Sequence, residues 1–184
     1  MSEGKISLWT SQDVRVHQSL QRGETYTVKK EYVKEKFGEV AWIFLEAYGY
    51  LGKVAAAQME QPEGSESLIW TFRDRKWVKK EGDSVVMKLE VPVDQVLLFN
   101  LNKWNKILNL SFIGEAREEE QFASELAKMG IKDTLEVFRS SFYPVQKRKI
   151  IDSWKSVFDL QGISDEYIQG GLWEIQPSWV TEVL

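Results

Sequence analysis

The chain has 184 residues, 43% hydrophobic and 28% charged, with a formal net charge of −4 and no cysteine. That length suits one domain and buries a core without covalent staples, while the missing thiols exclude disulfides, thiolate nucleophiles and thiolate zinc sites. A small acidic excess argues against a dedicated nucleic-acid binder, whose domain is usually basic.

The first ten residues hold no apolar run of signal-peptide length, and no stretch approaches the ~18 apolar residues of a membrane span. The expectation is a single cytoplasmic domain over residues 1–184, without a membrane partner. In chain order, Ile6 to Thr10 reads as a strand. Thr10 or Ser11 can cap a helix reaching about Arg22, and Gly23 stops it. Lys29 to Lys36 suits a short amphipathic helix with Tyr32, Val33 and Phe37 on its apolar side. Val40 to Met59 is the strongest helical segment, apolar on most sides and therefore expected to be central and buried. Gly49 and Gly52 weaken it by about 1 kcal/mol each relative to Ala, unless they permit close packing.

After a Pro- and Gly-containing loop, Leu68 to Phe72 reads as a strand. A turn at Glu81-Gly82-Asp83 leads into a second, Ser84 to Val91, and the two are expected to form a hairpin. Gln95 to Phe99 is another strand candidate. Leu101, Trp104, Ile107, Leu108 and Phe112 then form a helical stripe, as do Phe122, Leu126 and Met129 after Gly114. Asp133 and Glu136 have capping-box spacing, and Pro144 opens a helix to about Leu160. Tyr167 to Ile175 reads as one strand, and Val180 to Leu184 as a last one. The pattern is α+β, a small mixed or antiparallel sheet with a helix-rich middle and C-terminal half.

Several chemistries lack their residues. His17, the single histidine, is the only possible base for a serine triad, and no G-x-S-x-G elbow accompanies it. There is no phosphate loop, no G-x-G-x-x-G and no hard-metal loop, so no metal is expected. Eight tryptophans are spread along the chain, consistent with a core and rim of large aromatics or with two or three lining a ligand cleft.

Three segments carry possible chemistry. Arg73 to Lys80 holds Arg73, Arg75, Lys76, Lys79 and Lys80 against Asp74, beside Trp70, Phe72 and Trp77. Such a stretch is either a solvated turn or a contact for phosphates and bases, or for a partner protein. Lys147-Arg148-Lys149 opens a helix and is either a solvated face or an anion contact. In the last strand alternation puts Gln169, Gly171 and Trp173 on one face, and Gly170, Leu172 and Glu174 on the other. A bulge at the two glycines would reset that phase.

The chain resembles a bacterial family of uncharacterised single-domain proteins. The resemblance rests on Leu8-Trp9-Thr10-Ser11-Gln12, Phe44 to Tyr48, Ile69 to Phe72, Glu90 to Leu98, and Ser153-Trp154 through Ile175. A weaker similarity, in the order of strands, is to ADP-ribosyltransferase folds. It implies NAD in a cleft, with Trp9 or Thr10 at the nicotinamide ribose and Trp70 or Phe72 on the ring. Gln169 would stand beside the cofactor, and Glu174 would stabilise the ribosyl cation as the acid of the last strand. An ADP-ribosyltransferase-like NAD-binding protein acting on a macromolecule is one reading. A non-enzymatic module, binding nucleic acid or a partner protein through residues 73–80, is the other.

Overall fold

A computed structural model describes residues 4–184. The chain divides into two compact units: one runs through Phe99 and resumes at Gly162–Leu184, the other is Asn100–Gln161.

The first unit is built on a six-stranded sheet. Its strands are β1 (Lys5–Asp13), β3 (Ile69–Phe72), β4 (Ser84–Pro92), β5 (Leu97–Asn100), β6 (Ile168–Leu172) and β8 (Val180–Val183), in the order β5-β6-β3-β1-β4-β8. The architecture is α+β, and the pairs β1–β3, β1–β4, β3–β6 and β4–β8 are all antiparallel. A second, two-stranded sheet pairs β2 (Tyr26–Thr27) with β7 (Glu174–Ile175).

The expected hairpin between Leu68–Phe72 and Ser84–Val91 does not form, because β1 lies between them. All nine β1 residues pair with β4, from Lys5 opposite Pro92 to Asp13 opposite Ser84. This long pairing also carries the first strand past Thr10, so the helix cap moves to Asp13. Its carboxylate accepts the Arg15 amide at 2.9 Å and starts α1 (Val14–Gln21).

One face of the sheet is apolar. Leu8, Ile69, Met87, Leu89, Val91 and Leu172 pack there with Val16 and Leu20 of α1, and with Ile175 and Trp179. Burying each such side chain is worth roughly 1.5–3 kcal/mol before entropy is charged against it. The alternate face carries Trp9, Trp70, Phe72 and Gln169, since Phe72 stands opposite both Trp9 and Gln169.

Two helices complete this unit's aromatic side. Helix α2 (Lys30–Phe37) ends at Gly38, whose φ of 53° is a left-handed cap, and α3 (Ala41–Gln58) follows a 3-10 turn. Contrary to expectation α3 is not central. Only Ala41, Ala47, Leu51 and Ala55 are buried, and its larger side chains are half-covered. A ladder of rings spends that partly covered surface. Phe37 stacks on Phe44 (3.7 Å between centroids), Phe44 meets Tyr48 (6.0 Å), Tyr48 meets Trp70 (4.8 Å) and Trp70 meets Phe99 (6.0 Å). Offset and edge contacts of this kind suit the ring quadrupoles.

Tyr167 to Ile175 is not one strand. β6 pairs with β3, the backbone bends at Trp173, and β7 pairs with β2 in the other sheet. Ser65 Oγ donates to the Trp173 carbonyl at 2.8 Å at this bend.

The second unit is helical: α4 (Leu101–Leu108), α5 (Ala116–Lys128), α6 (Thr134–Arg139) and α7 (Pro144–Ser153). Asp133 caps α6 through the Glu136 amide (3.1 Å) as the spacing suggests, and Glu115 with Glu118 forms the capping box of α5. The helix at Pro144 stops short of Leu160, passing into a 3-10 segment, Trp154–Phe158. Ser153 and Ser156 hydroxyls bond back to the carbonyls of Ile150 and Ser153, which competes with regular α-helical pairing. Leu110 holds a left-handed φ of 51° while fully buried. That conformation costs about 1–2 kcal/mol, comparable to the ~1.5–3 kcal/mol gained by burying a leucine.

Candidate functional site: an aromatic cleft beside the central strands

The first unit contains a cleft of about 330 Å3. That lies at the small end of the roughly 300–1,000 Å3 range of small-molecule sites. Strand β1 contributes Thr10, Ser11 and Gln12, and β3 contributes Ile69, Trp70 and Phe72. Helix α2 lends Tyr32, Lys36 and Phe37, α3 lends Tyr48, and Tyr26 comes from β2. Trp77, Val78, Lys79, Ser67 and Leu68 also line the cleft.

The polar atoms of this cleft are largely fixed. Thr10, 1% exposed, donates its hydroxyl to the Trp70 carbonyl (3.0 Å) and accepts from Gln12 Nε2 (2.8 Å). Burial pushes the Tyr48 phenol up, partly offset by a hydrogen bond with Trp70. Burial also raises Tyr26, helped by the nearby Tyr32 and Asp13 charges. Both phenols therefore stay neutral at ordinary pH and act as hydrogen-bonding walls rather than bases. Lys36 lies 5.4 Å from the Phe37 ring centroid, so a cation sits over an aromatic of the wall. Among the described residues lining the cleft there is no Asp or Glu, while Lys36 and Lys79 are cationic. The cleft can stack a planar ring and attract an anion.

Of the residues singled out in the sequence, Thr10, Trp70, Phe72 and Lys79 line this cleft together. Trp9 does not line it. Its ring is flanked by Arg75 and Lys88, each 5.9 Å from the centroid. Gln169, 5% exposed, stands opposite Phe72 in the ladder but is not part of the cleft wall. Glu174 pairs with Thr27 in the small sheet and accepts from Gln176 Nε2 at 2.7 Å. It lines a different hollow, with Glu60, Asp94, Gln95 and Trp179. Gln169 and Glu174 are thus not brought into one site.

The basic segment is partly neutralised within its own unit. Arg73 donates to the Ser7 carbonyl (3.1 Å) and pairs with Asp165, and Lys76 pairs with Glu166. The bond it donates to Glu166 is the main reason the Lys76 ammonium is raised above its ordinary value. Lys76 also lies over the Trp77 and Tyr167 rings, at 5.2 and 5.5 Å. Five cations set against Asp74, Asp165 and Glu166 leave a local excess of two. Lys80 is exposed.

A family model matches residues 7–181 of the chain. The chain belongs to the family described as a domain of unknown function (DUF3841). The resemblance to an uncharacterised family therefore holds at that level. No curated protein and no solved structure matches this DUF3841 chain. No described helix is long and apolar enough to cross a membrane, and the described residues contain no cluster of three or more metal-ligating side chains.

Sequence reasoning missed Tyr26, Tyr32, Lys36, Phe37 and Tyr48. Tyr32 and Lys36 are four apart on one helix face, and Tyr48 closes the FLEAY segment. Those local signals were present, but only the packing of α2 on α3, and of Tyr48 on Trp70, brings these helices to β3.

Proposed function

We propose that the protein binds a nucleotide in the aromatic cleft, NAD being the first candidate, in a cytoplasmic setting. The supporting observation is that Trp70, Tyr48, Phe72, Lys36 and Lys79 line one cleft. The rings take a planar base or nicotinamide, and the two ammonium groups take phosphate oxygens. Stacking on an aromatic side chain is worth about 1–3 kcal/mol per base. The volume suits a mononucleotide-sized part of the ligand.

The reading stops at binding. Stabilising a ribosyl cation needs negative charge within a few ångströms of it, and Glu174 lines another hollow. Calorimetric titration with NAD, ADP-ribose and AMP tests the proposal. Saturable binding is expected, weakened about tenfold by Tyr32→Ala and by Lys79→Ala, a change of about 1.4 kcal/mol. Absence of heat with all three ligands overturns it.

The alternative, a nucleic-acid or protein contact through residues 73–80, has less support because Arg73 and Lys76 are engaged by Asp165 and Glu166. It would give salt-sensitive binding lost on charge reversal at Arg75 and Lys76.

A further inference from the structure

Two buried side-chain groups among the described residues have no hydrogen-bond partner: Ser67 Oγ and Trp173 Nε1. Both residues line the same hollow, about 240 Å3, walled by α3 through Leu45, Gly49, Gly52, Lys53 and Ala56. Lys30, Gln61 and Glu66 complete its rim, and Ser67 and Tyr48 separate it from the aromatic cleft.

The hollow is shaped by absent side chains. A Cβ built on Gly49 meets nothing within 4 Å, and one on Gly52 would only touch Trp173 Cη2 at 3.7 Å. Glycines in mid-helix cost stability, so their presence leaves open space where a side chain would otherwise stand. The volume is several times the ~30 Å3 that a water occupies in the liquid, so one bridging water does not fill it.

The wall is rich in donors. Indole Nε1–H only donates. Ser67 offers a hydroxyl, and Lys30 and Lys53 offer ammonium groups at exposed positions. Of the acceptors nearby, Glu66 Oε2 accepts from the Lys30 amide at 2.9 Å and the Trp173 carbonyl accepts from Ser65 Oγ at 2.8 Å, and none reaches Ser67 Oγ or Trp173 Nε1. The Gln61 amide nitrogen is spent on the Ser65 carbonyl (2.7 Å). Donors without acceptors call for an electron-rich group from outside, and two lysines against one glutamate favour an anion.

We infer that this hollow is a binding site for a small carboxylate with a compact apolar body. The carboxylate lies toward Trp173, Ser67 and Lys53, and the apolar part against Leu45, Gly49 and Gly52. Seating it requires a small rotation of the Ser67 hydroxyl and the indole, both shut from solvent in the empty form. The inference is independent of what the aromatic cleft binds.

Nitrogen-15 NMR of the indole N–H signals tests it, with Trp173 assigned through Trp173→Phe. The titrants are butyrate and benzoate, with butyramide and benzamide as uncharged counterparts. Both carboxylates are expected to move the Trp173 signal saturably, at least tenfold more tightly than the amides. Gly49→Leu is expected to abolish the shift while the other seven indole signals keep their positions, and Lys53→Ala to weaken it. Ala56→Phe, at an exposed position on the same wall, is a second blocking variant should Gly49→Leu unfold the helix. The inference falls if no titrant moves the signal, if the blocked variants respond like the parent, or if amides and carboxylates act alike. It also falls if the indole N–H contacts only a long-lived water that no titrant displaces.

Discussion

Gln169 and Glu174, five residues apart in the sequence, belong to two different sheets: Gln169 faces Phe72 across β3–β6, and Glu174 faces Thr27 across β2–β7. The bend at Trp173 separates them. Nothing done to the Glu174 carboxylate should therefore reach a ligand on Trp70. Glu174→Gln is expected to leave the NAD dissociation constant within about twofold, under ~0.5 kcal/mol. A tenfold loss, measured calorimetrically, would place Glu174 at the ligand after all.

The two glycines of β6 are expected to differ sharply on substitution. A Cβ on Gly170 would lie 2.7 Å from Thr71 Oγ1 and 2.8 Å from Val96 Cγ2, both on β-branched side chains with little freedom. Thr71 Oγ1 also donates to the Gly170 carbonyl at 2.9 Å, so moving it breaks a buried bond. Gly170→Ala is expected to destabilise by about 1–3 kcal/mol through overpacking. At Gly171 the close atom is Leu68 Cδ1 at 2.9 Å, the far end of a flexible chain, and Gly171→Ala should cost clearly less. Urea midpoints of the two variants decide; equal losses would contradict the geometry.

Gly49 of α3 has no Cβ neighbour within 4 Å, so alanine fits there without strain. Gly49→Ala is expected to stabilise the chain by up to about 1 kcal/mol, the usual helix-interior difference. A rise in the urea midpoint at constant slope is the supporting result.

Asp13 caps α1 and holds Arg15. Hydrogen bonds from the Arg15 side chain, then from its backbone amide, lower the Asp13 carboxyl to about 2. A folded value below the unfolded one means the contribution is complete above the ordinary aspartate value. It fades as pH falls from there through about 2. Both groups are exposed, so the effect on global stability is small. Carbon-13 titration of the carboxyl should show the low midpoint, and Arg15→Ala should raise it toward ordinary aspartate. A parent midpoint already at the ordinary value would show that the pair does not form in solution.

Much of the local structure was legible. Short apolar runs and turn residues located β1, β3, β4, β5 and β8, and Gly23, Asp133 and Pro144 marked helix ends by their own chemistry. Within the cleft, Thr10, Trp70, Phe72 and Lys79 were visible as aromatic, hydroxyl and basic residues near predicted strands. Their partners on α2 and α3 were not, because a helix's own sequence reveals that it has an apolar face but not which strand that face meets.

The sequence by itself determined the α+β class, the helix cap at Asp133 and the absence of thiol chemistry, since these depend on residue type and near-neighbour spacing. Tertiary structure alone decided that β1 would part the expected hairpin. It also decided that Trp173 would break one apparent strand into two sheets, and that Glu174 would stand away from Trp70. Strand order and sheet membership come from pairing between residues some sixty to a hundred and fifty positions apart, as in Phe72 with Gln169 and Thr27 with Glu174. Such pairing is fixed by hydrogen bonds and burial across the whole unit, and no local pattern carries it.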